Sequence, residues 1–149
     1  MLSKVIAHRG NLNGPGSVEN DPKGIHEALF AGYDVEIDVW LENNQILLGH
    51  DSPTYEVDLK FIKQDRLWCH AKNVDALSYM LKNSIHCFWH QEDNYTITSK
   101  GYIWVYPGQK LVPGCVALFD SYLLDHLAIA YAICTDYPTS YNLGEQNEV

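Results

Sequence analysis

Apolar residues follow two spacings along this chain, and the change from one to the other marks its elements. Residues 4–7 (KVIA) are a short apolar run ending at His8, as in a buried strand. Ile25, Ala28, Leu29 and Ala31 recur every three or four positions, one stripe of a helix. Asn20 or Asp21 can cap that helix, Pro22 suits its first position, and Gly32 ends it. YDVEIDVWL alternates apolar and charged residues and predicts a strand; ENNQ is a turn, and ILLGHD returns, so residues 35–48 read as a hairpin. Beyond Asp51 the pattern predicts a brief helix at 57–62 and a strand at 67–71. It then predicts a helix over 74–81 capped by Asn73, strands at 85–90, 95–98, 102–106, 116–119 and 132–135, and a helical stretch over 123–130.

Strands alternate with helices in the first half and then crowd together. Alternation argues for an α/β fold with a parallel sheet, because parallel neighbours need crossover connections. Eight strand–helix units would have to share 149 residues, whereas a full (β/α)₈ barrel takes about 250. A complete barrel therefore fits only if several outer helices are missing or shortened. Residues 1–141 read as one compact domain and 142–149 (NLGEQNEV) as a polar tail.

With 46% apolar and 19% charged residues the chain is ordinary globular material. No run is long enough to span a bilayer. MLSKVIAHRG lacks the apolar core of a signal peptide, so a cytoplasmic protein is expected. Ten Lys and Arg against 19 Asp and Glu give a net charge of −9, a field that repels nucleic acid and anionic lipid. It admits a small anionic substrate if a bound divalent cation reverses the sign locally. Cys69, Cys87, Cys115 and Cys134 sit in or beside apolar runs without C-x-x-C spacing and read as buried thiols.

Three clusters carry chemistry. Glu36 and Asp38 are i, i+2 on a strand, so both face one side, about 7 Å apart along it, while Val35, Ile37 and Val39 face the other. Two like charges on one face call for a cation or a proton if that face is interior, or for nothing if it is simply wet. His8 and His50 each end a strand, where parallel α/β folds build their sites, and paired imidazoles can supply acid and base at neutral pH. Arg9 offers a planar fork suited to phosphate oxygens. His86 and His90 would stand about 13 Å apart on a strand, too far for one ion. Tyr102, Trp104 and Tyr106 on one strand face read as packing.

The order IAHRG, VEN, VEIDVW, LLGHD resembles the glycerophosphodiester phosphodiesterase family of the PLC-like phosphodiesterases. LWCHAKN and ICTDYP match two further anchor points of that family; residues 83–127 match none. The resemblance implies a TIM-type barrel, here a reduced one, and metal-dependent hydrolysis of a small glycerophosphodiester-like substrate. It implies His8 and His50 as the acid–base pair and Arg9 and Lys72 as phosphate ligands. Glu36 and Asp38 would bind one divalent cation, Mg2+ or Ca2+, with Glu19 as a further carboxylate and Asn20 positioning the loop or substrate. The family's third metal carboxylate falls at His70, and an imidazole there shifts preference toward Mn2+ or Zn2+. Lost helices would leave outer apolar faces that a homo-oligomer could cover. Two alternatives keep the same residues: a non-catalytic barrel binding a phosphorylated ligand, and a lyase that stops at a cyclic phosphate.

Overall fold

The computed structural model describes residues 2–119, 122 and 124–141; the expected tail, 142–149, lies outside them. The described residues form a mixed α/β fold. β1 (Lys4–His8) leads through a loop to α1 (Pro22–Phe30), then β2 (Asp34–Glu42), β3 (Gln45–Leu48), β4 (Tyr55–Val57), α2 (Leu59–Ile62), β5 (Leu67–Ala71) and α3 (Val74–Lys82). The strands β6 (Cys87–Phe88), β7 (Tyr95–Ile97), β8 (Ile103–Val105) and β9 (Val116–Leu118) follow. The short α4 (Leu124–Leu127), β10 (Ala132–Thr135) and a 3₁₀ turn at Pro138–Ser140 close the described chain.

All ten strands belong to one sheet. Seven run parallel in the order β6-β5-β2-β1-β10-β9-β8. β7 joins β8 antiparallel, β3 folds back antiparallel on the far end of β2, and β4 pairs antiparallel with β3. The expected 35–48 hairpin is thus present, turning at Asn43 and Asn44, both left-handed, the conformation a tight I′-type turn demands.

Side chains alternate cleanly across this sheet. On one face Ala7, Val35, Ile37, Val39, Leu67, Cys69 and Cys87 pack under the helices with Ile25, Leu29, Ile62 and Met80. The opposite face gathers Ile6, Trp68, Phe88, Trp104, Val116, Leu118, Ala132 and Cys134 into a second apolar mass. Rings from strands far apart in the sheet order meet there: Phe88 of β6 stacks on Trp104 of β8 at 4.7 Å, and Trp68 of β5 lies 5.7 Å from Trp104. The backbone N–H of Ser99 donates to the Cys87 carbonyl at 2.8 Å, and Ser99 Oγ accepts from the Cys87 N–H at 2.9 Å.

Glu36 and Asp38 are on this second face with 3% and 1% exposure. They are interior, which removes the wet-face alternative. The strand expected at 85–90 shrinks to two residues: beyond Phe88 the Trp89 carbonyl accepts from the Thr96 hydroxyl of β7, and the His90 ring meets the Asp93 carbonyl in the loop between. The helix expected at 57–62 begins two residues late, where the Asp58 carboxylate accepts from the Phe61 N–H and caps it. In front of it β4 had no periodic signal, being three residues long. Ile97 and Ile103, register partners on β7 and β8, are exposed at 63% and 39%.

Candidate active site

The C-terminal ends of the parallel strands surround a cavity of about 410 Å³. His8, Arg9, Glu36, Asp38, His50, His70 and Lys72 line one part of it, and Phe88, Trp89, His90, Trp104, Tyr106 and Phe119 the other. Seven residues singled out in the sequence therefore share one cavity.

Each arrives there for a local reason. After β1 the chain turns sharply through Arg9 (φ 53°) and Gly10 (φ 78°). The turn aims the Arg9 backbone N–H at Glu36 Oε2, 3.3 Å away. The Arg9 guanidinium lies between Glu19 (Nη1–Oε2 3.6 Å) and Asp38 (Nε–Oδ2 3.4 Å), and its buried Nε makes no hydrogen bond. His50 follows β3 through Gly49, where a β-carbon would stand 1.9 Å from the Ser52 carbonyl oxygen, so only glycine fits. Trp40 Nε1–H donates to the Gly49 carbonyl at 2.6 Å, and His50 Nδ1 pairs with the exposed Asp51 at 2.7 Å. Lys72 follows β5, its N–H donating to the Val39 carbonyl.

Asn20 is fully buried and left-handed at φ 64°. Its amide donates to Asp38 Oδ2 at 3.0 Å and its oxygen accepts from the Asp38 N–H at 2.9 Å. It holds the metal-type carboxylate in place and does not line the cavity. Asn20→Ala leaves the Asp38 N–H unpaired and takes from Oδ2 its amide hydrogen bond, and an expected loss of about 3 kcal/mol in urea unfolding checks this.

Oxygens of Glu36 and Asp38 and a ring nitrogen of His70 all lie within 4.8 Å of one another. His70 Nδ1 is 3.2 Å from Asp38 Oδ1, while its Nε2 meets the His90 carbonyl at 3.1 Å. Burial, then the charge of Asp38, raises the Glu36 carboxyl to about 7, against the pull of His8, His70 and Arg9. For Asp38 burial pushes up, but the hydrogen bond and charge of His70, the Asn20 amide and Arg9 outweigh it and hold the carboxyl below its usual range. The pair thus behaves as one anion and one near-neutral acid until something positive joins it.

No protein-family model, curated protein or solved structure matches the chain. Its chemistry must therefore be judged from these side chains alone.

Glu19 does not join Glu36 and Asp38. It forms a separate group with His8 and Asp136, because Asn11 Nδ2 bridges Glu19 Oε2 (2.8 Å) and Asp136 Oδ1 (2.9 Å). Asp136 was absent from the sequence-derived site, yet it is the closest partner of His8, with Nδ1 to Oδ1 at 2.8 Å. The signal was available: Asp136 follows β10, the neighbour of β1, and the strand-end rule that picked His8 and His50 picks it too. Burial lowers the His8 pKa, but the Asp136 hydrogen bond and the charge of Glu36 overcome that and raise it above 6.5. Asp136 is correspondingly lowered: burial opposes, while hydrogen bonds from His8 and Asn11 prevail. His8 Nε2 lies 3.7 Å from Glu36 Oε2, and the edge of the ring meets Phe119 at 5.0 Å.

A second cavity, about 320 Å³, opens at the other end of the strands beside Asp34, Trp68, His86, Lys100, Tyr102 and Tyr131. His86 lines this one and His90 the first, so the two never share an ion. Burial and Lys100 lower His86 to about 4, leaving it without a proton to give at neutral pH. No group of three metal-type ligands occurs there among the described residues. The aromatic run divides likewise: Tyr102 faces the second cavity and Tyr106 the first, with Trp104 buried between them.

Proposed function

We propose that this chain is a metal-dependent phosphodiesterase of the glycerophosphodiester phosphodiesterase kind, hydrolysing a small glycerophosphodiester-like substrate. One observation carries the reading: the imidazoles of His8, His50 and His70, an arginine, a lysine and a carboxylate pair line a single cavity. We infer in addition that the parallel strands roll into a reduced TIM-type barrel. The ring contacts between β6, β5 and β8 across the sheet support that finer architecture.

The donor set fits a divalent cation, since two carboxylates and an imidazole within 4.8 Å of one another offer three ligands beside an open cavity. Glu36, Asp38 and His70 would hold it, and once bound it supplies positive charge to the phosphoryl oxygens. Arg9 and Lys72 add positive charge at the cavity wall, with the Arg9 guanidinium held between Glu19 and Asp38. His8, held by Asp136 and with its pKa raised above the usual value, serves as the acid toward the leaving oxygen. The base role toward the attacking hydroxyl falls to His50, on the same cavity.

The test is turnover of glycerophosphocholine and bis(p-nitrophenyl)phosphate with Mg2+, Ca2+, Mn2+ or Zn2+, with products followed by phosphorus NMR. A phosphomonoester supports hydrolysis, and an accumulating cyclic phosphate points to a lyase. Calorimetric binding of phosphate esters without turnover under any ion replaces the proposal with a binding barrel. A strong chelator is expected to abolish turnover, and the favoured ion to restore it within one titration; turnover that survives chelation counts against the carboxylate–imidazole site.

A further inference from the structure

We propose that His70 and the carbonyl that tethers it make the Glu36–Asp38–His70 group selective for a borderline transition ion of the Zn2+ class over Mg2+ and Ca2+. This rests on the metal-dependent reading above and names the ion it uses.

A carbonyl oxygen can only accept a hydrogen bond. The 3.1 Å contact of His70 Nε2 with the His90 carbonyl therefore fixes a proton on Nε2. Nδ1, on the other side of the ring, stands 3.2 Å from Asp38 Oδ1, and an ion bound between them takes the place of any proton they share. Two lone-pair donors at that separation match neighbouring ligands on one ion, which stand about 3.0–3.4 Å apart for bonds of about 2.0–2.1 Å. Outer hydrogen bonds of this kind fix a ligating imidazole and raise its basicity.

Neither ligand is free to turn away. Phe88 stacks on the His70 ring at 5.0 Å and 8°. Asp38 is pinned by both atoms of the Asn20 amide and by Arg9 Nε. Ligand type, more than adjustment of the site, then decides the ion. Ca2+ asks for six to eight oxygens and Mg2+ for near-octahedral oxygen, whereas this group offers two carboxylates and one nitrogen. Three protein ligands with the open side on a cavity leave a borderline ion one position for water or substrate, as catalytic sites of such ions require.

The experiment measures affinities of the metal-free full chain for Zn2+, Co2+, Mg2+ and Ca2+ by competition with a chromophoric chelator. Visible absorption of the Co2+ form reports nitrogen ligation. Zn2+ and Co2+ are expected to bind at least ~100-fold tighter than Mg2+ or Ca2+. His70→Glu is expected to lower Zn2+ affinity ~10- to 100-fold, to strengthen Mg2+ or Ca2+ binding, and to alter the Co2+ spectrum. Asp38→Asn, run in parallel, is expected to lose Zn2+ affinity as well, and circular dichroism establishes that both variants fold. The inference is overturned if Mg2+ or Ca2+ binds as tightly as Zn2+. It is equally overturned if His70→Glu or Asp38→Asn leaves Zn2+ affinity unchanged, since the ion would then sit elsewhere. Turnover with Mg2+ and no preference for Zn2+ sinks this inference and leaves the phosphodiesterase standing. The predicted selectivity without turnover under any ion does the reverse.

Discussion

His8→Gln lowers kcat on a phosphodiester by about 10²–10⁴, the usual worth of a positioned acid, with the fold retained. The ring stands at the end of β1 with its Nδ1 proton committed to Asp136 at 2.8 Å, which leaves Nε2 as the atom that delivers a proton. Glutamine keeps the bulk and a hydrogen bond to Asp136 but cannot carry a titrating proton. Asp136→Asn is expected to reduce kcat as well, because the amide can donate to Nδ1 and so favours the wrong tautomer. The pH dependence has a definite sign. His8 is raised in the folded protein, so its stabilising contribution is complete below 6.5 and fades as pH rises through the raised value. Asp136 is lowered, so its contribution is complete above 3.8 and fades as pH falls through the lowered value. The pair therefore supports the fold best between those limits, and the alkaline limb of kcat for the wild type lies above 6.5. Wild-type kcat in His8→Gln, or an unshifted profile in Asp136→Asn, removes His8 from the reaction.

The second large effect concerns stability. Glu36→Gln is expected to make the metal-free protein more stable at pH 8, by up to about 3 kcal/mol. Burial and the neighbouring Asp38 raise this carboxyl from 4.5 to about 7. A raised acid means that the folded state holds a proton the unfolded chain has released. Stability of the metal-free wild type therefore falls as pH climbs from about 4.5 to about 7, then levels off. Glutamine mimics the protonated acid and escapes that loss, so the two proteins converge near pH 4.5 and separate by pH 8. Adding the preferred ion reverses the comparison, since the wild type gains binding energy and the variant loses a ligand. Denaturant titrations at both pH values, with and without metal, read all four corners. Equal stabilities at pH 8 in the absence of metal would show Glu36 to be ionised without strain.

Much of this arrangement was legible in the sequence. The alternation of Val35, Ile37 and Val39 with Glu36 and Asp38 gave the strand and its facing, because a period of two has only one way to bury both sets. Asp21 and Asn73 marked helix starts, since each side chain caps a backbone N–H two or three residues on. What the pattern could not carry were contacts made across long separations. Nothing near His8 announces Asp136, and nothing near Asp38 announces the Asn20 amide, because each pairing exists only once the strands are side by side. Trp89 and His90 looked like strand because their aromatic composition suits one, but they bond to the Thr96 hydroxyl of β7 and the Asp93 carbonyl instead of joining a ladder.

β1 pairs with β10, and the His8–Asp136 bond spans 128 residues. A chain emerging from the ribosome has Glu36, Asp38 and His70 in hand well before Asp136, whereas the imidazole at position 8 waits for β10. Metal affinity can thus precede chemical competence during synthesis, and a strand that arrives late arms one made early.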